Sequence, residues 1–266
     1  MLLLALDTST EVTSVALARV EGDSLELLGG QSVDAPRAAL SRVLPMAASL
    51  LAQAGLSACD LDGVVVGRGP GSFTGVRIGV ASAKGLAHGL GVPLWGVGTL
   101  DAIAQGFADD DVTLAVVGDA MRGEVYPALF TCGGGRVQRL TPDLVAKPDV
   151  AVRRFAQHGG RLLLVGNGLK KYAPVFADGL GDAATLADES RQAPSPGGLI
   201  LAWVAARDAD ELGDGDPGAV LPVYTRLSDA EEAERDRAGL PRLESPDSGV
   251  AGSDVAQDGT SEVEAG

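Results

Sequence analysis

An α/β fold built on a mixed sheet is what this sequence predicts, and three observations predict it. The chain opens with three aliphatic runs joined by short polar segments, the pattern of a β-meander. Stretches with apolar residues at helical spacing then alternate with short β-branched runs. One of those runs, Gly63 to Gly67, has no polar position at all, so it must be covered on both faces.

The elements follow in order. Leu2 to Leu6 and Thr13 to Val20 are apolar runs separated by Asp7-Thr8-Ser9-Thr10-Glu11, a segment of hairpin length, and Ser24 to Val33 supplies a third strand. Pro36 to Ala54 repeats apolar residues at Leu40, Val43, Leu44, Ala47, Leu50, Leu51 and Ala54, with Gly55 as its stop. After Gly63 to Gly67 come a glycine-rich turn, a helix from Gly75 to Leu90, a strand around Val92 to Trp95 and a helix from Thr99 to Phe107. The order βββαβαβα suggests a ribonuclease H-like layer, a mixed sheet with helices on its faces. Val112 to Val117, Glu124 to Phe130 and Arg136 to Leu140 begin a second, strand-led unit. A helix near Val150 to Gln157, a strand at Leu162 to Val165 and a helix at Pro196 to Arg207 complete it. The expected organisation is a first domain over 1–108, a second over 109–227 and a tail over 228–266.

Composition narrows the function. With 266 residues and 45% hydrophobic side chains, the chain can bury one large core or two modest ones. A net charge of −15 disfavours unassisted nucleic-acid binding, because phosphates would meet a negative field. From Ser228 to Gly266 eleven acidic and three basic residues give −8 with almost no large apolar side chain, so this tail is expected to be disordered. The run Leu2 to Leu6 is too short for a membrane span and lacks the basic flank of a signal peptide, which points to a cytoplasmic protein with no membrane role. Two cysteines, Cys59 and Cys132, make neither a disulfide framework nor a zinc motif, and with only His88 and His158 besides, no protein metal site is expected.

The turn RGPGSFTGVRIG at 68–79 raises two readings. Free N–H groups before a helix N-terminus suit an anion. Yet a P-loop needs Lys-Ser where Thr74-Gly75 stands, and no dinucleotide spacing is present. The other reading is a tight strand-to-helix turn with Thr74 as the helix cap. Within the helix, Val76, Val80, Ala83, Ala87 and Leu90 form an apolar stripe, and Arg77, Ala81, Lys84 and His88 a polar one. Between them runs a line of mostly small residues, Gly75, Gly79, Ser82, Leu86 and Gly89. An interior glycine costs roughly 1 kcal/mol against alanine in an exposed helix, so the line calls for close approach of another backbone, internal or from a partner. Ala39, Met46 and Ala48 widen the apolar arc of the preceding helix in the same sense.

Six segments carry a resemblance: LALDTSTEVTSVAL at 4–17, GRGPGSFTGVRIG at 67–79, GVGTLDAIAQG at 96–106, DAMRGEVY at 119–126, VGNG at 165–168 and PVYTR at 222–226. Together they resemble the bacterial YeaZ/TsaB family, the non-catalytic partner of the TsaD transferase in making threonylcarbamoyladenosine in tRNAs that read ANN codons. The resemblance implies an actin-like ATPase (ASKHA) fold of two related domains, the second reduced. It implies a heterodimer with a TsaD-type transferase through the helices Pro36 to Ala54 and Gly75 to Leu90, with Leu40, Val43, Ala47, Gly75, Arg77, Gly79, Ser82 and Leu86 as expected contacts. A TsaE-type ATPase is the further partner, tRNA is met only through the complex, and a homodimer is an alternative assembly. No cofactor of its own is implied beyond ATP or ADP at the complex interface.

The same positions point away from chemistry. Asp7-Thr8-Ser9-Thr10 sits where actin-like kinases place a D-x-G-T phosphate hairpin, with Ser9 in place of the glycine. Weak nucleotide or anion contact is expected at most, from Asp7, Thr8, Ser9, Thr10, Arg68, Gly69, Gly71 and Ser72. The H-x-x-x-H pair of metal-dependent relatives is missing. Ser72 or Cys132 as a nucleophile lacks a base in any motif. Asp119 and Glu124 flank a turn in which Arg122 is expected to pair with one of them. No catalytic residue is therefore assigned. The alternatives are an actin-like small-molecule kinase and a peptidase. Two departures from the family stand out: Ala35 to Ser41 lacks the histidine common there, and the acidic tail has no counterpart.

Overall fold

The computed structural model describes residues 1–34 and 38–224. The expected tail at 228–266 and the start of the first helix at 35–37 lie outside the described residues.

The first sheet is built from β1 (Leu2–Asp7), β2 (Val12–Glu21), β3 (Ser24–Asp34), β4 (Gly63–Gly67) and β5 (Leu94–Val97), in the order β3-β2-β1-β4-β5. β1 pairs antiparallel with β2 and parallel with β4, so the sheet is mixed as the sequence predicts. Its helices are α1 (Ala39–Gln53), α2 (Phe73–Leu90) and α3 (Thr99–Gln105). Strand periodicity sorts the core into two layers. Leu2, Leu4 and Leu6 point to one face, where Val43, Leu50, Val76 and Val80 of α1 and α2 cover them. Leu3 and Ala5 point to the other, where they meet Leu199, Ile200 and Trp203.

The second sheet repeats the plan in smaller form. It consists of β6 (Val112–Met121), β7 (Glu124–Gly133), β8 (Arg136–Arg139), β9 (Leu162–Val165) and β10 (Ala184–Leu186), in the order β10-β9-β6-β7-β8. Helices α4 (Pro148–His158) and α5 (Leu169–Leu180) cover one face through Phe155 and Phe176, while Leu100, Ile103 and Phe107 in and just beyond α3 cover the other.

Three differences from the sequence reading have physical reasons. α5 and β10 were not predicted, because Lys170, Lys171 and Pro174 obscure a helical stripe of Leu169, Phe176 and Leu180 that only burial reveals. The cap of α2 is Ser72, whose Oγ accepts from Gly75 N at 3.3 Å, so the helix starts at Phe73 and Thr74 lies inside it. The last helix, α6 (Pro196–Asp208), was expected with the second unit, yet it packs on the first sheet through Leu199, Ile200, Ala202 and Trp203. Its low-amphipathicity sequence, apolar nearly all round, fits a helix wedged between that sheet and α3.

Candidate functional site

The site that would hold a phosphate in an actin-like fold is filled by the chain itself. Asp7 is fully buried, and its Oδ1 accepts from Ser9 N at 2.7 Å and from Ser9 Oγ at 2.6 Å. Thr99 Oγ1 donates to Asp7 Oδ2 at 2.7 Å and accepts from Gly69 N at 3.1 Å. Thr8 Oγ1 donates to the Gly75 carbonyl at 2.6 Å, and Ser72 N donates to the Ser9 carbonyl at 2.7 Å. Burial pushes the Asp7 carboxyl above the usual range, and the hydrogen bonds from Ser9 and Thr99 offset this only in part.

The glycines make this closure fit. A Cβ on Gly67 would overlap the Asp7 carboxylate, one on Gly71 the Ser9 carbonyl, and one on Gly75 the Thr8 carbonyl. Gly69 is at φ +94°, and the Gly69-Pro70 peptide is cis. Of the expected anion contacts, Asp7, Thr8 and Ser9 are therefore buried and internally satisfied. Gly69 is buried, Gly71 half-buried, and exposed Ser72 is spent on the helix cap. The Thr10 hydroxyl is bound to Val12, and the exposed Arg68 lays its stem beside Gly96.

Across the cleft, the two domains are clasped at the same hairpin. The Glu11 carboxylate accepts from Lys170 Nζ at 2.6 Å and from Asn167 Nδ2 at 2.7 Å. Burial raises the affinity of Glu11 for its proton, but these donors prevail and hold its carboxyl below the ordinary value. Asn167 Oδ1 in turn accepts from Asp119 N at 2.9 Å. Asp119 pairs with Lys171.

Nucleophilic chemistry finds no support in the geometry. Burial, and secondarily the nearby Asp110 carboxylate, push the Cys132 thiol up to about 11, so it is not a thiolate at neutral pH. Among the described residues no group of three or more His, Cys, Asp or Glu stands close enough to hold a metal ion.

The second candidate is the outer face of α1 and α2, and here the structure sorts the expected contacts. Val43 and Ala47 are buried in the core between α1 and the sheet, so they are not free to meet a partner. Gly75 and Gly79 are also buried: a Cβ on Gly79 would lie 2.6 Å from Thr8 Oγ1. These two glycines serve the close approach of the first hairpin, so this part of the small-residue line is internal. Leu40 and Arg77 are exposed, and Ser82 and Leu86 are half-buried.

The outward row of α1 carries Leu40, an expected contact, and extends it along the helix. Leu40 is 70% exposed and Leu44 43%, and Ala48 and Ala52 continue the row at four-residue spacing. On α2, Ala81, Gly85 and Gly89 are exposed, and a Cβ added to either glycine would touch nothing. Neither helix contains an acidic residue, in a chain of net charge −15. At the start of α2, Arg77 stacks 3.7 Å over the Phe73 ring and its Nε donates to the Tyr224 hydroxyl at 2.8 Å.

Comparison with known proteins follows this geometry. The family model described as TsaD, tRNA N6-adenosine threonylcarbamoyltransferase, matches residues 33–184. The chain is 30% identical over 235 residues to the tRNA threonylcarbamoyladenosine biosynthesis protein TsaB of Bacillus subtilis, covering 87% of this chain and 96% of that one. It is 39% identical over 173 residues to the Escherichia coli protein of the same name, covering 63% and 72%. The solved structure of YeaZ from Pseudomonas aeruginosa superimposes with a TM-score of 0.67 at 29% identity, over 84% of this chain and 99% of that one. The two-domain, actin-like fold is that of these relatives.

Proposed function

Because the chain belongs to the TsaB family of tRNA threonylcarbamoyladenosine biosynthesis proteins, we propose that it serves that pathway as a non-catalytic subunit. In this reading it docks and activates a TsaD-type transferase, in the cytoplasm, through the outer face of α1 and α2. The observation that carries the docking reading is the pairing of an exposed aliphatic row, Leu40 to Ala52, with glycines on α2 that the fold itself does not need. An exposed interior glycine such as Gly85 costs roughly 1 kcal/mol against alanine. Close approach of a partner helix offsets that cost. The internally satisfied Asp7 network supports the absence of chemistry, since it leaves no group poised to act on a substrate.

ATP or ADP, if used, then belongs to the interface with the transferase, and a TsaE-type ATPase and tRNA join through that partner. Self-association through the same face would compete with it. The test is to deplete the protein in its host and quantify threonylcarbamoyladenosine in bulk tRNA by mass spectrometry. Loss of the modified base, restored by the wild-type chain but not by a Leu44→Asp variant, is expected. Unchanged levels on depletion would remove the proposal.

A further inference from the structure

The last described residues lie at the rim of the α2 surface. After α6 the chain runs back beside β5, at the edge of the first sheet: Leu94 N donates to the Gly215 carbonyl at 2.9 Å, and Val223 N to the Arg68 carbonyl at 2.8 Å. This strap then follows one flank of α2 toward its N-terminus. Lys84 Nζ donates to the Gly218 carbonyl at 3.3 Å, and Arg77 Nε to the Tyr224 hydroxyl at 2.8 Å. Residues 225–266 therefore leave from the first turns of α2, beside its exposed face.

That face is cationic and uncompensated. Arg77 and Lys84 stand on the solvent side of α2, seven residues and about 10 Å apart, with exposed Ala81 between them. Arg42 is exposed on α1. Among the described residues none of these three cations pairs with a carboxylate, whereas Arg19, Arg153, Lys170, Lys171 and Arg191 each do. In a chain of net charge −15, such a strip is complementary to an acidic segment. One follows Tyr224 directly. Ser228-Asp229-Ala230-Glu231 has the capping-box pattern of a helix start, and Gly239 and Pro241 are stop signals. At helical spacing Asp229, Glu232, Ala233 and Asp236 share one face, and Asp229 and Asp236 are seven residues apart, as Arg77 and Lys84 are. The four steps from Tyr224 to Ser228 reach about 13 Å when extended, more than the roughly 10 Å width of a helix, so the segment can turn onto α2. The short tether sets an effective concentration in the millimolar range, at which a few weak exposed ion pairs suffice.

We propose that residues 228–240 fold back as a short helix along the solvent side of α2, with Asp229 opposite Arg77, Ala233 opposite Ala81 and Asp236 opposite Lys84, so that a partner must displace them. The fold-back itself does not depend on the partner; the gate it forms rests on the docking reading above. The test uses the ¹⁵N-labelled full chain carrying Cys59→Ser, which leaves Cys132 buried and makes Ala238→Cys, on the far side of the proposed helix, the accessible site for a nitroxide label. Paramagnetic broadening is expected at the amides of Gly85 to Gly89, at least threefold greater than in the same chain with Asp229→Lys and Asp236→Lys, and none at α4. Adding Arg77→Glu and Lys84→Glu to that variant should restore the broadening. Without the label, the full chain with Asp229→Asn and Asp236→Asn should bind a TsaD-type transferase fivefold or more tighter than wild type. The fold-back is overturned if the broadening is absent or equal in the labelled chains, and the gate if the wild-type and Asn chains bind the transferase equally. Broadening with no transferase bound by either chain would leave the fold-back in place and remove the docking reading instead.

Discussion

Replacing Leu40 and Leu44 together by alanine separates docking from folding. In the isolated chain Leu40 is 70% exposed and Leu44 43%, so truncation removes little of the core and should change stability by less than about 0.5 kcal/mol. In the proposed complex the exposed fractions would become buried. At about 2 kcal/mol for a fully buried leucine, those fractions together amount to about 2 kcal/mol, or a loss of about 30-fold in affinity for the transferase. Calorimetric titration against a TsaD-type partner measures the affinity, and urea denaturation of the chain alone measures the stability. Val43→Ala is the internal control, because Val43 is fully buried under the same helix: it should lower stability by about 1–3 kcal/mol. Equal affinity for the leucine double variant and wild type would refute the assignment of this face. So would a leucine variant that is destabilised as much as Val43→Ala.

Four further outcomes are expected. Gly85→Ala should raise the unfolding temperature of the isolated chain, by up to about 1 kcal/mol of added stability, because its Cβ meets open space, yet weaken the complex. Gly79→Ala should lower the unfolding temperature, because its Cβ crowds Thr8 Oγ1; thermal melts of both variants, showing the same sign, would contradict the division of the glycines into internal and external sets. Asp7 has a carboxyl pKa raised by burial, so the native state holds its proton at pH values where the unfolded chain has released it. Its contribution is therefore most favourable below the unfolded pKa and is lost as pH rises through the folded one. Asp7→Asn should accordingly gain on wild type as pH rises above the unfolded carboxyl range, and denaturant titrations giving a flat or opposite difference would contradict the buried network. Glu11 has the opposite sign. Its pKa is lowered, so the clasp stabilises above the unfolded carboxyl range and fades as pH falls through the folded value. Glu11→Gln should increase hydrogen–deuterium exchange at residues 166–171 at neutral pH and much less in acid, and mass spectrometry of the peptides reads this directly.

The strands were legible because burial leaves its mark in composition: Leu2 to Leu6 and Gly63 to Gly67 are apolar at every position, and a strand covered on both faces can be nothing else. The glycine-rich turn was legible as a turn for a similar reason, since its residues are those that tolerate close backbone approach. The sequence also carried the family, through motifs spread from 4 to 226. It could not carry the partition of α1. Leu40, Val43, Leu44 and Ala47 form one continuous apolar arc, and nothing in their types tells which edge of the arc faces the sheet. Likewise Gly79 and Gly85 are the same residue in the same helix. Only the position of Thr8, brought from far along the chain by the first hairpin, makes one of them a packing requirement and leaves the other facing solvent. α6 shows the limit most plainly, because its return to the first sheet depends on where α3 and the second domain leave room. Period and composition are local properties of a chain, so they determined the elements and their order; which face each element turns inward is decided by neighbours distant in sequence, and that belongs to the tertiary structure alone.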